Sequence, residues 1–171
     1  MSLLDGSGLP TLALSNVTVY LAASDLDIGT LPNQTVVIHA GRNYATADSK
    51  TTGVAGSATI SASATDLQPA QKKLTTSIPI GHPTGMVLST VPSNVPSLPS
   101  YSGRVVVELE GQAGLPAKAV SDTTVHLSSS NTNIVNVDSY VVVRAGRYTA
   151  ITDYVSGLAP GTAIIIAISQ G

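Results

Sequence analysis

The chain has no cysteine, no tryptophan and no phenylalanine, and only 11 % of its 171 residues are charged. Each shortage closes off a class of protein. Without Cys there are no disulfide staples, no thiolate-held zinc or iron–sulfur cluster and no thiol nucleophile. Eight Lys and Arg stand against ten Asp and Glu, a formal charge of −2. That balance supplies no basic field for nucleic acid or for an anionic membrane surface. Six Tyr are the only aromatic residues, a poor stacking platform for sugars or bases. No apolar run reaches 18 residues, so no membrane insertion is expected. The opening MSLLDGSGLP has no basic region followed by an apolar stretch, and no signal peptide is read there. An extracellular protein of this sequence is then expected to be processed or to belong to a longer chain.

What remains is a folding chain. Hydrophobic residues make up 43 % and net charge is low, the opposite of a disordered composition. Val, Ile, Thr and Tyr favour strands, while the strong helix formers Glu, Lys, Gln and Arg are sparse. There are 21 Ser and 19 Thr, so the surface is hydroxylic rather than ionic. This suits a secreted or surface-displayed β-protein.

An internal repeat organises the chain. At an offset of 105, residues 40–64 fall on 145–169 without a gap. Ala40-Gly41-Arg42 then matches Ala145-Gly146-Arg147, and Ala45, Asp48, Gly56, Ala58, Ile60 and Ala62 match Ala150, Asp153, Gly161, Ala163, Ile165 and Ala167. At an offset of 106, Gly8-Leu9-Pro10 matches Gly114-Leu115-Pro116, and Val19, Leu21 and Ile28 match Val125, Leu127 and Ile134. Two copies of one domain follow, each of short strands punctuated by turns. The second copy reads as strands at 104–110, 123–129, 140–145, 148–154 and 162–169. The first reads as strands at 17–23, 35–40, 44–49, 57–64 and 73–80. Gly-Arg at 41–42 and 146–147 marks a tight connection. Between the copies, 77–103 carries Pro79, Pro83, Pro92, Pro96 and Pro99. This stretch reads as a semi-rigid spacer, or as an edge strand seated through Met86-Val87-Leu88.

The residues 125–131 (VHLSSSN), 141–146 (VVVRAG) and 160–167 (PGTAIIIA) resemble the bacterial Ig-like repeats of invasin- and intimin-type adhesins and other prokaryotic surface proteins. The resemblance covers most of the second copy and, more loosely, the first. It implies an all-β fold of two Ig-like antiparallel sandwiches in a rod of tandem domains, and it carries no catalytic residues. The long Pro-rich stretch departs from the close spacing of such copies. The expected organisation is an Ig-like sandwich at 3–76 with an incomplete first strand, a Pro-rich linker or donated strand at 77–103, and a second sandwich at 104–171 lacking its last strand.

No catalytic, cofactor-binding or metal-ligating residue is assigned. His39, His82 and His126 lack ligand spacing, no Gly-x-Ser-x-Gly elbow or phosphate loop occurs, and Asp25-Leu26-Asp27 reads as a solvated turn in preference to a calcium loop. Asp48 and Asp153 read as turn carboxylates bonded to backbone, and Glu108 with Glu110 as an outward polar face. Asn16-Val17-Thr18 and Asn33-Gln34-Thr35 fit the glycosylation pattern at about the frequency chance supplies. One strand differs between the copies. Ser57, Thr59, Ser61 and Ser63 face outward in the first, whereas the matched outward positions of the second include Ile164, Ile166 and Ile168. That row is the expected contact face, covered by the Pro-rich stretch, the other domain or a neighbouring subunit.

The expected function is a structural or adhesive segment of a cell-surface or secreted protein: a stalk, spacer or filament subunit. Its expected partners are neighbouring Ig-like domains or subunits, engaged in one version by strand donation. A protein- or glycan-binding module, and accessory domains of a large secreted enzyme, are the alternatives. No enzyme is expected within the chain itself.

Overall fold

The computed structural model describes residues 1–77, 81–98 and 101–169. Ile78, Pro79 and Ile80 of the expected 73–80 strand, and Pro99 of the Pro-rich stretch, lie outside them. The fold is nearly all-β with antiparallel sheets, and among the described residues the one helical element is a single 3-10 turn at Gln112–Gly114. Contacts divide the chain into two compact units, Met1–Ile78 and Pro79–Gly171.

In the first unit the strands are β1 (Val17–Ala23), β2 (Gly29–Thr30), β3 (Thr35–Ile38), β4 (Lys50–Thr51), β5 (Gly56–Ser63) and β6 (Ala70–Thr76). They form a sheet ordered β3-β1-β5-β6 and a two-stranded ribbon β2-β4. In the second unit they are β7 (Gly85–Val91), β8 (Ser102–Glu110), β9 (Thr123–Ser129), β10 (Val135–Val137), β11 (Tyr140–Val143), β12 (Thr149–Ser156) and β13 (Ile165–Ser169). These form sheets ordered β10-β12-β8-β7 and β11-β9-β13.

Strict alternation builds the core. Val105, Val107 and Leu109 of β8 point inward and meet Val125 and Leu127 of β9, Val143 of β11 and Tyr154 of β12. Two sheets thus close over one apolar layer, as the period-two pattern requires. The first unit has a smaller core around Val19, Leu21, Ile38 and Ala13.

Pairings in the two units coincide once the offsets are applied. Val17 faces Ile38 as Thr123 faces Val143; Tyr20 faces Ser63 as His126 faces Ile168; Gly29 faces Thr51 as Val135 faces Ser156. The Gly-Arg turns match too. Gly41 donates its N–H to the Ala13 carbonyl and Gly146 to the Ala119 carbonyl, each at 2.8 Å. Both glycines have φ near +78°, at 78° and 77°, the left-handed region that disfavours side chains.

Differences between the units fall at their edges. Expected strand 44–49 is not a strand: Tyr44 alone bridges Ser2, and pairing resumes only at Lys50–Thr51. Its counterpart, β12, is continuous because β8 runs along it from Thr149 opposite Glu108 to Val155 opposite Ser102. Residues 162–164 likewise fall outside β13, whereas their counterparts 57–59 lie in β5 with β6 beside them.

The Pro-rich stretch is tied to the second unit. β7 pairs antiparallel with β8, Met86 opposite Leu109 and Leu88 opposite Val107. The connector 92–98 then runs against β12 and the turn after it. Tyr154 donates its hydroxyl to the Pro92 carbonyl at 2.6 Å, Ser156 Oγ donates to the Leu98 carbonyl at 2.7 Å, and Ser97 Oγ to the Leu158 carbonyl at 2.9 Å. Val95 packs on the core. Pro83, Pro92 and Pro96 fit because they flank β7 or lie in the connector, where a missing N–H costs no ladder bond.

Tyr154 is the pivot of this strap, and Gly103 makes room for it, since a Cβ built there overlaps the Tyr154 ring. Tyr154→Phe leaves a buried Pro92 carbonyl without this donor and is expected to cost about 1–2 kcal/mol. Gly103→Ala forces the ring aside and is expected to cost roughly 1–3 kcal/mol. Urea unfolding followed by hydrogen exchange checks both. The loss should fall on the second unit and leave protection in β1 and β3 unchanged.

Candidate interaction surface

Residues able to do acid–base or metal chemistry are scattered. His39, His82 and His126 are exposed, and His126 stands mid-strand opposite Tyr140 and Ile168. Among the described residues no three His, Asp or Glu side chains cluster closely enough to hold a metal ion. Asp25 Oδ1 accepts the Asp27 N–H at 2.9 Å and Asn131 Oδ1 accepts the Asn133 N–H at 3.0 Å. Both are side-chain-closed turns, and the carboxylate of one is an amide in the other. A cavity of about 780 Å³ brings His82 and Asp122 to one cleft with Met86 and Leu109. Asp122 is already engaged there, by Arg144 Nη1 at 2.6 Å and the Ala145 N–H at 2.9 Å. These partners hold its carboxyl below the usual range, the Ala145 N–H contributing most. The matched Asn16 Oδ1 accepts the Ala40 N–H at 3.0 Å, so this position caps the same turn in both units and Asn16 has a structural partner.

One sequence reading needs correction. Asp153 does not close a turn: it stands mid-strand in β12, opposite Arg104 of β8. Among the tyrosines, Tyr101 and Tyr154 are buried, while Tyr20, Tyr140 and Tyr148 are exposed. Among the described residues no helix is long and apolar enough to cross a membrane.

Glu108 and Glu110 lie on the outer face of β8 as expected, half-buried between β7 and β12. Desolvation pushes the Glu108 carboxyl above the ordinary glutamate value, and the nearby Glu110 charge adds to the shift. A raised folded-state pKa means that the fold favours the protonated acid. Its stabilisation is full below the unfolded pKa and is lost as pH rises through the folded one. Glu108→Gln is therefore expected to raise the melting temperature at pH 7, and the gain should vanish as pH falls to about 4. Scanning calorimetry across that window checks the sign.

The outer row of β13 is the most distinctive surface. Ile164, Ile166 and Ile168 are 65 %, 46 % and 61 % exposed, while Ile165 and Ala167 turn toward the core. The row extends across the sheet to His126 and the exposed Tyr140. The Pro-rich stretch is not its cover, because it lies on β8 and β12 of the other sheet. On the matched face of the first unit, Thr59 faces Lys73 and Ser61 faces Gln71.

Beside this edge lies a cavity of about 310 Å³, walled by Ile134, Val135, Thr162, Ala163 and the 93–97 connector. Sequence reasoning missed it. The available signal was the exchange of Gly29 for Val135.

No protein-family model matches the chain, and no curated protein or solved structure is detectably similar to it.

Proposed function

We propose that the chain is a structural or adhesive segment of a cell-surface or secreted protein, built from two copies of one Ig-like domain. One observation carries the reading: the strand pairings of the two units recur, residue for residue, at offsets of 105 and 106. Duplication of a unit that has only scattered polar groups and Ser/Thr faces adds length and surface rather than an active site. Antiparallel ladders and a shared core make each unit a mechanical element that resists extension.

The partners of such a segment are neighbouring domains or subunits. The Ile164, Ile166 and Ile168 row supports a second, protein-binding reading, since monomers seldom leave contiguous aliphatic rows uncovered.

Pulling the full chain from its two ends tests the first reading. Two discrete unfolding steps are expected, each releasing roughly 20–30 nm of chain at about 3.5 Å per residue. Smooth extension without steps would overturn it.

A further inference from the structure

β11 is the last strand of its sheet, ordered β11-β9-β13, and no described residue pairs with it on the far side. The first unit has the same open edge at β3, in a sheet whose other edge is β6. The open edge therefore belongs to the domain itself. The Leu127 N–H donates to the Ser139 carbonyl at 2.9 Å, and Val141 stands opposite Val125. Alternation then aims the peptide groups of Ser139, Val141 and Val143 at β9, and those of Tyr140 and Val142 at the open side.

A groove of about 480 Å³ lies along β11, lined by Asp138, Ser139, Tyr140, Val141, Val142 and Arg144. β11 itself, Tyr140–Val143, holds neither a charge nor a proline, the two devices that commonly keep an edge solitary. Its charges stand at the ends, an acid before the strand and a base after it. Thr152 Oγ1 donates to one oxygen of Asp138, and Arg144 Nη1 donates to Asp122. Each group has capacity for a further partner, and the Arg144 side chain is 72 % exposed.

The arrangement is self-complementary. When a second copy lays its β11 antiparallel along the first, the peptide groups of Tyr140 and Val142 meet only in registers that differ by two residues. In the register that sets Tyr140 opposite Val142, Asp138 falls opposite Arg144 and a two-fold passes through Val141. A slip of two residues either way sets both charges opposite uncharged residues. In the first unit Asn33 and His39 hold the matched places, so β3 lacks this acid and base.

We propose that the open edge of β11 pairs antiparallel with β11 of a second copy of this chain, in that register, and joins two three-stranded sheets into one. The peptide groups of Tyr140 and Val142 supply the ladder, and Asp138 with Arg144 fix its register from both ends. On the outer face the exposed Tyr140 packs against Val142 of the second copy. The inference rests on the reading of the chain as a segment that associates with neighbouring subunits, and it names the subunit that reading leaves general.

Sedimentation velocity of the full chain, with hydrogen exchange alongside, tests this. A reversible dimer is expected, with a Kd between about 10 µM and 1 mM for so short a strand. Concentrating the chain should slow exchange of the Tyr140 and Val142 amides. Val142→Pro removes an open-side N–H without touching the β9 ladder, so it should abolish the dimer while the chain melts like the parent. Asp138→Lys and Arg144→Glu should each weaken self-association by at least about tenfold, because two attractions become repulsions. An equal mixture of these two variants should dimerise like the parent, since each offers the charge that the other lacks. A chain that stays monomeric up to about 1 mM overturns the proposal. So does a dimer indifferent to Val142→Pro, or a mixture that fails to recover. A chain that unfolds in two steps but stays monomeric loses this inference alone, and a dimer whose chains extend smoothly loses the functional reading alone.

Discussion

A β-strand aims its peptide groups sideways, alternately to left and right, and each needs a neighbouring strand or water. In this chain that requirement decides which segments are strands at all. Residues 149–156 and 44–51 are matched copies, yet the first is one continuous strand and the second is reduced to its last two residues. What separates them is β8, which runs along β12 and has only Ser2 as a paired counterpart beside Tyr44. Residues 57–59 and 162–164 tell the same story with β6 as the neighbour. Side-chain pattern proposes a strand, and backbone satisfaction completes it.

This explains how far the sequence could be read. β1 and β9 were legible to the residue because their alternating Val and Leu face a core within their own unit and both flanks are paired. Strands 44–49 and 162–164 had the right pattern but lacked a neighbour, and neighbours are not written in a local window. The short pieces β2, β4 and β10 have two or three residues each, too few for any period to register. β7 sits among prolines, which obscure a strand whose paired side faces β8. The Ile164, Ile166 and Ile168 row was legible by comparison of the copies. The adjoining cavity was not, since it depends on the 93–97 connector meeting residues distant in sequence.

Packing between the copies is kept by exchange rather than by identity. Gly56 and Gly161 lie against Ile28 and Ile134, and a Cβ built on either would come within 2.6 Å and 2.9 Å of the isoleucine Cδ1. In both units the isoleucine tip takes the space that a side chain at the glycine would need. Gly29 and Val135 show a position where the exchange was made. The first accepts Leu74 from β6, and the second carries its own branched side chain into the same region. In the first unit Leu74 of β6 covers this position, and in the second Val135 itself packs on the core.

Surface chemistry also differs between the edge strands. Ser and Thr solubilise a face without repelling another strand, so a hydroxylic surface leaves sheet edges unguarded unless a charge or proline stands there. β6 has its lysines, and the connector after β7 has Pro92 and Pro96. β13 has neither, and its outer row is aliphatic. In a chain with so few charges, the placement of two lysines and three isoleucines carries more information about association than overall composition does. It separates a strand that carries charge, β6, from a face that exposes an aliphatic row, Ile164, Ile166 and Ile168.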